Sequence, residues 1–310
     1  MPKDALSMGN VVVVGSLNAD LTVRTHSFPE PGETVHGSKL VITAGGKGAN
    51  QAVAASLLGA HVAMLGAVGD DAHGRMLRKS LTHARVDTAR IYTVDEPTGT
   101  AIVVVDDRGE NIIVLSTGAN GTLDTEAVAP AADLLERAAV LCLCLEIPIC
   151  TVVAAARAGR AAGVLVVVNL SPYADVPDEL LENTDVLLVN ENEASQLVGR
   201  AVRSDWLATL EALERRKIRR AVITLGRDGA IVLDATADDT VVEVATVDID
   251  PIDTTGSGDA FTGALAARLA AGDTLHTAAT FATRAGAFAA TLPGTQASYP
   301  TMLQLDAWTP

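Results

Sequence analysis

Aromatic residues are scarce in this 310-residue chain, with four Phe, three Tyr and two Trp. The core must therefore come from Val, Ala, Leu and Ile. A pocket that stacks a nucleobase between rings has little to draw on. Positive charge is also short: 23 Lys and Arg stand against 38 Asp and Glu, for a formal net charge of −15. Such a surface repels phosphate backbones and argues against nucleic acid as a partner. It leaves open a small anion held at a local positive site. Only three cysteines occur, Cys142, Cys144 and Cys150, with no CxxC pair. That argues against a disulfide framework or a zinc site. Cys142 and Cys144 alternate in an apolar run, so they are expected on one strand face as small core hydrophobes. No apolar run approaches the roughly 18 residues that span a bilayer. The opening Met1-Pro2-Lys3-Asp4 lacks a signal-peptide pattern, so the expected compartment is the cytoplasm, with no membrane partner. The six histidines show no metal spacing, and no GxSxG element suggests a serine hydrolase. Sequons at Asn120 and Asn169 would matter only in a secreted protein.

What is present is an alternation of strands and helices. Val11-Val12-Val13-Val14-Gly15 reads as a buried strand. A helix follows from about Gly48 to Leu58, closed by Gly59. Further strands are expected at 61–65, 140–145, 164–169, 186–189 and 221–225, and helices at 72–84, 149–162 and 205–217. Two Ala-rich helices, near 258–271 and 274–290, are too apolar to be solvated linkers. This rhythm predicts βαβ units and a mostly parallel sheet. Two segments break it. Residues 21–43 carry Pro29, Pro31, Gly32 and Gly37 and read as short strands and turns. Residues 98–105 and 111–116 flank Asp106-Asp107-Arg108-Gly109-Glu110 and read as a β-hairpin. The expected organisation is one α/β domain over 1–310, with a small β-rich subdomain from about 18–45 and 97–117.

Six short motifs carry chemistry. Asp253-Thr254-Thr255-Gly256-Ser257-Gly258-Asp259 opens a long helix. Its small residues let backbone N–H groups turn toward one point, where the helix dipole adds positive potential. Asp259, in the first helical turn, reads either as a capping carboxylate or as a general base beside a phosphate loop. Gly45-Gly46-Lys47-Gly48-Ala49-Asn50 is neither a Walker A loop nor a Rossmann fingerprint. It reads as a tight turn before a helix or as a polyol-binding turn, with Asn50 offering an amide. Asn18 and Asp20, two apart in an extended segment, point to one side, as an Asx-turn or as partners for vicinal hydroxyls. Glu146 stands directly after the apolar strand. Asn190-x-x-Glu193 offers a helix-terminal acid or an organiser of hydrated Mg²⁺. Thr224-Leu225-Gly226-Arg227-Asp228-Gly229 is a turn able to lie along a nucleotide.

Together these motifs resemble the ribokinase-like (phosphofructokinase-B) sugar kinase family. The similarity runs from Val11 through Gly294-Thr295-Gln296, with Gly69-Asp70-Asp71 also in order. It implies a three-layer α/β/α ribokinase-like fold with a mostly parallel central sheet, a β-sheet lid and a homodimer formed through the lids. It implies in-line transfer of a phosphoryl group from ATP to the 5-hydroxyl of D-ribose, giving D-ribose 5-phosphate and ADP. In the implied site Asn18, Asp20, Gly46, Lys47, Asn50 and Glu146 hold the sugar, and Asp259 is the base. The amides of Gly256, Ser257 and Gly258 form an anion hole. Asn190, the turn Thr224, Leu225, Gly226, Arg227, Asp228 and Gly229, and Thr283 line the nucleotide pocket, together with Gly258 and Asp259. Glu193 helps arrange Mg²⁺ indirectly. A K⁺ ion is implied at Asp253, Thr255, Ala289, Leu292, Gly294 and Ser298. Thr283, Asn169-Leu170-Ser171-Pro172 and Thr262 depart from the family pattern. A kinase for another pentose such as 2-deoxyribose or for a nucleoside, and a non-catalytic sugar-binding regulator, remain the alternatives.

Overall fold

Successive residues of the first strand serve opposite faces of a sheet, as the two-residue period of an extended chain requires. The computed structural model describes residues 9–310. Its first strand, β1 (Asn10–Val14), sends Val11 and Val13 into one apolar core and Val12 and Val14 into another. The first core is closed by the helices Lys47–Leu57, Ala72–His83, Ser257–Ala270 and Leu275–Ala290. The second is closed by Ile149–Ala161, Asp178–Glu182, Glu191–Val198 and Trp206–Arg215. The result is helix, sheet, helix in three layers. Each fully buried Val or Leu here contributes about 1.5–3 kcal/mol, so cores poor in aromatics still suffice. Cys142 and Cys144 are both fully buried, and burial first, then neighbouring acidic groups, raises both thiol pKa values.

The remaining strands are β2 (Asn18–Arg24), β3 (Val41–Gly45), β4 (His61–Gly69), β5 (Asp87–Val94), β6 (Gly99–Val105) and β7 (Asn111–Ser116). They are followed by β8 (Val140–Cys144), β9 (Leu165–Asn169), β10 (Val186–Asn190), β11 (Arg220–Thr224), β12 (Ala230–Asp234) and β13 (Val241–Val244). The large sheet has nine strands in the order β13-β12-β11-β10-β9-β8-β1-β4-β5. It is parallel from β11 to β5, and β12 and β13 add an antiparallel edge. Strand order reverses at β1, which lies between β8 and β4. In open α/β sheets ligands bind at such a switch point, outside the carboxyl ends of the strands.

The two excursions meet in a second sheet of four strands, ordered β3-β2-β6-β7. β6 and β7 form the antiparallel hairpin expected around Asp106–Glu110. β2 and β6 join the two excursions by a parallel pairing, with Asn18 opposite Gly99. β5 escaped the sequence pattern because it is an edge strand with one fully buried residue, Ile91. No helix among the described residues is long and apolar enough to cross a membrane.

Candidate active site

The end of β1 and the end of β8 lie side by side at the switch point. Ser16 and Asn18 follow the first, and Glu146 follows the second. Glu146 Oε2 accepts three hydrogen bonds, from Ser16 Oγ at 2.6 Å, Asn18 Nδ2 at 3.2 Å and the Lys47 amide at 3.1 Å. Asn120 completes the cluster by donating from Nδ2 to Asn18 Oδ1 at 2.7 Å and to the Leu17 carbonyl at 3.0 Å. Gly46 turns the chain from β3 into the helix at φ 90°, a left-handed conformation that glycine adopts without strain. Asp20 packs against Gly45. Burial, then repulsion from Glu146 and Asp259, pushes its carboxyl up to about 7. Near neutral pH Asp20 therefore both donates and accepts, which suits a hydroxyl ligand. Burial disfavours the Lys47 ammonium, yet Asp259 and Glu146 outweigh that, and its pKa stands above the ordinary value.

Asp259 is buried in the first turn of helix Ser257–Ala270. Its Oδ2 accepts from Asn50 Nδ2 at 2.9 Å and its Oδ1 from Gln51 Nε2 at 3.0 Å. It does not cap its own helix, because Gly256 occupies the cap with no side-chain bond. Gly256 is left-handed at φ 77°. A Cβ there would stand 2.7 Å from the Tyr299 hydroxyl, which donates to the Gly256 carbonyl at 3.1 Å. The amides of Gly256 and Gly258 have no protein acceptor among the described residues, while Ser257 N donates to the Thr254 carbonyl at 3.2 Å. Two free amides and one partly engaged amide thus stand at a helix N-terminus, where the dipole favours an anion.

Beyond these amides opens a cavity of about 520 Å³. Thr224, Gly226, Arg227, Gly229, Thr283, Ser257 and Gly258 line it together with residues 246–251. Asn190, Leu225, Asp228 and Asp259 are not among the lining residues. Asp228 instead pairs with Arg203 at 2.9 Å. Asn190 and Glu193 form a reciprocal capping box, at 2.9 Å and 2.8 Å. The second oxygen of Glu193 has no protein partner among the described residues, so it is free to meet a metal-bound water. No group of three or more His, Cys, Asp or Glu side chains placed to hold a metal ion occurs among the described residues. Asp253 accepts from Thr255 N at 2.9 Å and Gly294 N at 3.0 Å. Burial opposes its ionisation, but those amides and the charge of Arg24 hold its carboxyl below the ordinary value. Ser298 lies in the same loop, its hydroxyl donating to the Thr295 carbonyl at 2.8 Å. Oxygen donors of these kinds suit a hard cation.

Residues 8–302 match the pfkB family of carbohydrate kinases. The chain belongs to the pfkB carbohydrate kinase family. A ribokinase of Schizosaccharomyces pombe is 35% identical over 311 residues, covering 96% of this chain and 97% of the relative. A ribokinase of Mus musculus is 39% identical over 264 residues, covering 84% and 81%. Among solved structures, Arabidopsis thaliana ribokinase complexed with ribose and ATP superposes with a TM-score of 0.88 at 29% identity, covering 97% and 99% of the two chains.

In this carbohydrate kinase, sequence reasoning overlooked Ser16, Gln51, Asn120 and Tyr299. Ser16 follows a strand that ends at the switch point, which was a usable signal. Gln51 is adjacent to Asn50 but drew no attention as an uncharged helix residue. Asn120 stood out only as a sequon. No local pattern marks Tyr299, whose partner Gly256 is 43 residues away.

Proposed function

We propose that this chain transfers the γ-phosphoryl group of ATP to the 5-hydroxyl of D-ribose, releasing D-ribose 5-phosphate and ADP. One observation carries the reading: the Asp259 carboxylate stands at the seam between a polar cluster and an anion site. On one side its charge acts on Asp20 and Lys47, in the cluster with Asn18 and Glu146; on the other lie the amides of Gly256 and Gly258 and the open cavity. Relatives named ribokinase supply the substrate class. In this reading the cluster orients the pentose with its 5-hydroxyl toward Asp259. Asp259 accepts the hydroxyl proton while the oxygen forms its bond to the γ-phosphorus and the bond to the ADP oxygen breaks in line. The amides of residues 256–258 meet the negative charge spread over the transferring group. Thr224, Gly226, Arg227, Gly229 and Thr283 seat the nucleotide.

Bound Mg²⁺ would neutralise phosphate charge, with Glu193 holding one of its waters. Bound K⁺ would order the loop that carries the anion site, with Asp253, Thr255 and Ser298 and the carbonyls of Ala289, Leu292 and Gly294 as its holders. We read residues 18–45 and 97–117 of this single domain as a lid, and the lid as the contact in a homodimer. The support is apolar side chains left exposed on the small sheet, among them Ile42, Ile102, Ile113 and Val114. The compartment is read as the cytoplasm, on the need for ATP and the free thiols.

The test is ATP consumption coupled to a panel of pentoses and nucleosides, with K⁺ or with a bulky organic cation. Ribose with K⁺ should turn over fastest. Asp259→Asn should still bind ribose but lose about 10²–10⁴ in kcat. Near-normal turnover in that variant overturns the base assignment, and preference for another acceptor overturns the substrate.

A further inference from the structure

Gln51 takes no part in the sugar cluster. It is fully buried, and its amide spans the gap between Asp259 and β8. Nε2 donates to Asp259 Oδ1 at 3.0 Å, and Oε1 accepts from the Cys142 thiol at 3.4 Å. A side-chain amide is nearly symmetric in shape but opposite in polarity at its two ends. An ionised carboxylate only accepts, so it takes the nitrogen end, and the oxygen end needs a donor of its own. For Gln51 that donor is the Cys142 thiol. Burial first, then Cys144 and Asp259, pushes the Cys142 thiol far up, so it keeps its proton and remains a donor.

Asn50 is oriented in the same way from the opposite side. Gln296 Nε2 donates to Asn50 Oδ1 at 3.0 Å, and Ser80 Oγ donates to Gln296 Oε1 at 2.7 Å. Two chains of hydrogen bonds, each running in one direction, thus converge on the two oxygens of Asp259. Helix packing makes this possible. Gly263 lies one turn beyond Asp259 on the same helix face. A Cβ on Gly263 would stand 2.6 Å from the Gln51 carbonyl oxygen and 2.8 Å from Ala55 N. The two helices touch backbone to backbone there, which brings Gln51 within reach of the carboxylate.

We propose that Gln51, with its amide oxygen held by Cys142, is a positioning residue that fixes the plane of the Asp259 carboxylate for phosphoryl transfer. The proposal rests on Asp259 being the base. It assigns Gln51 to the chemical step and not to sugar affinity. Gln51→Met keeps the side-chain volume and removes the donor. It should lower kcat about tenfold with KM for ribose nearly unchanged. A role in packing alone would lower stability without splitting kcat from KM. Cys142→Ala should give a smaller fall in kcat, again with KM for ribose nearly unchanged, and Cys142→Ser, which restores a donor, should recover it. This pair decides the matter if Gln51→Met does not fold.

Wild-type kcat in Gln51→Met overturns the proposal, as does a rise in KM alone. Cys142→Ala indistinguishable from the parent overturns it too. Asp259→Asn in the same assay separates the two levels. If that variant keeps turnover, the base and its positioning residue fall together. If it is inactive while Gln51→Met and Cys142→Ala are normal, only the positioning role falls.

Discussion

The two sides of the site are made of different material. The polar cluster is built from long side chains that are bonded to one another before any ligand arrives. Glu146 alone accepts from Ser16, Asn18 and the Lys47 amide. The cavity beyond Asp259 is lined by glycines, threonines and small apolar residues, with Arg227, Asp248, Asp250 and Phe261 among them. Buried polar groups must be satisfied, so a buried sugar site has to interlock. A phosphate site at a helix N-terminus needs only small residues that leave amides free. Discrimination should therefore reside on the side-chain half, and tolerance to substitution on the backbone half.

Removing Glu146 tests that contrast most severely. Glu146→Ala leaves three donors without an acceptor and should weaken ribose binding by about 2–4 kcal/mol, with little change in KM for ATP. Steady-state kinetics in both substrates check this; an equal rise in both KM values would erase the distinction between the halves. Gly263→Ala strikes the helix crossing that joins them. Its Cβ meets backbone atoms that cannot swing aside, so denaturant melts should show a loss of about 1–3 kcal/mol.

Asp20 sharpens the contrast through pH. Its carboxyl titrates at about 7 in the folded chain against an ordinary 3.8. Between those values the unfolded chain has released a proton that the folded chain still holds. Stability therefore falls as pH rises through this window and levels off above it. Asp20→Asn should melt higher than the parent at about pH 8, match it near pH 4, and bind ribose poorly at both. Thermal melts at the two pH values would show the sign; a parent that gains stability over this window refutes it. The smallest effect is expected on the open side, where Thr283→Ala should change ATP binding by about 1 kcal/mol or less. Isothermal titration with a non-hydrolysable nucleotide measures it.

Much of the fold was legible because its signals are local. Apolar runs ending at glycine marked β1 and β8, and helical periods marked the helices around Asn50 and Asp259 to within a few residues. β5 was not legible, since an edge strand with one buried residue has no apolar run to display. Of the site, the residues inside dense motifs were readable: Gly46, Lys47, Asn50, Gly256 and Asp259. Asn120 and Tyr299 were not, since each does its work through a partner far along the chain. Asp228 shows the converse, a residue inside a motif whose side chain turns away to Arg203.

By itself the sequence determined which segments become strands and helices, where glycine permits a turn, and that any phosphate must be met by amides and cations on so acidic a chain. Those properties depend on neighbours a few residues apart, through backbone sterics and the period of burial. The tertiary structure alone decided that Asn50 and Gln51 grip Asp259 across 209 and 208 residues of chain, and that Ser16 and Asn18 meet Glu146 across 130 and 128. Such contacts arise where packed helices and strand ends converge, and a hydrogen bond reaches only about 3 Å, so their geometry exists only once the core has closed.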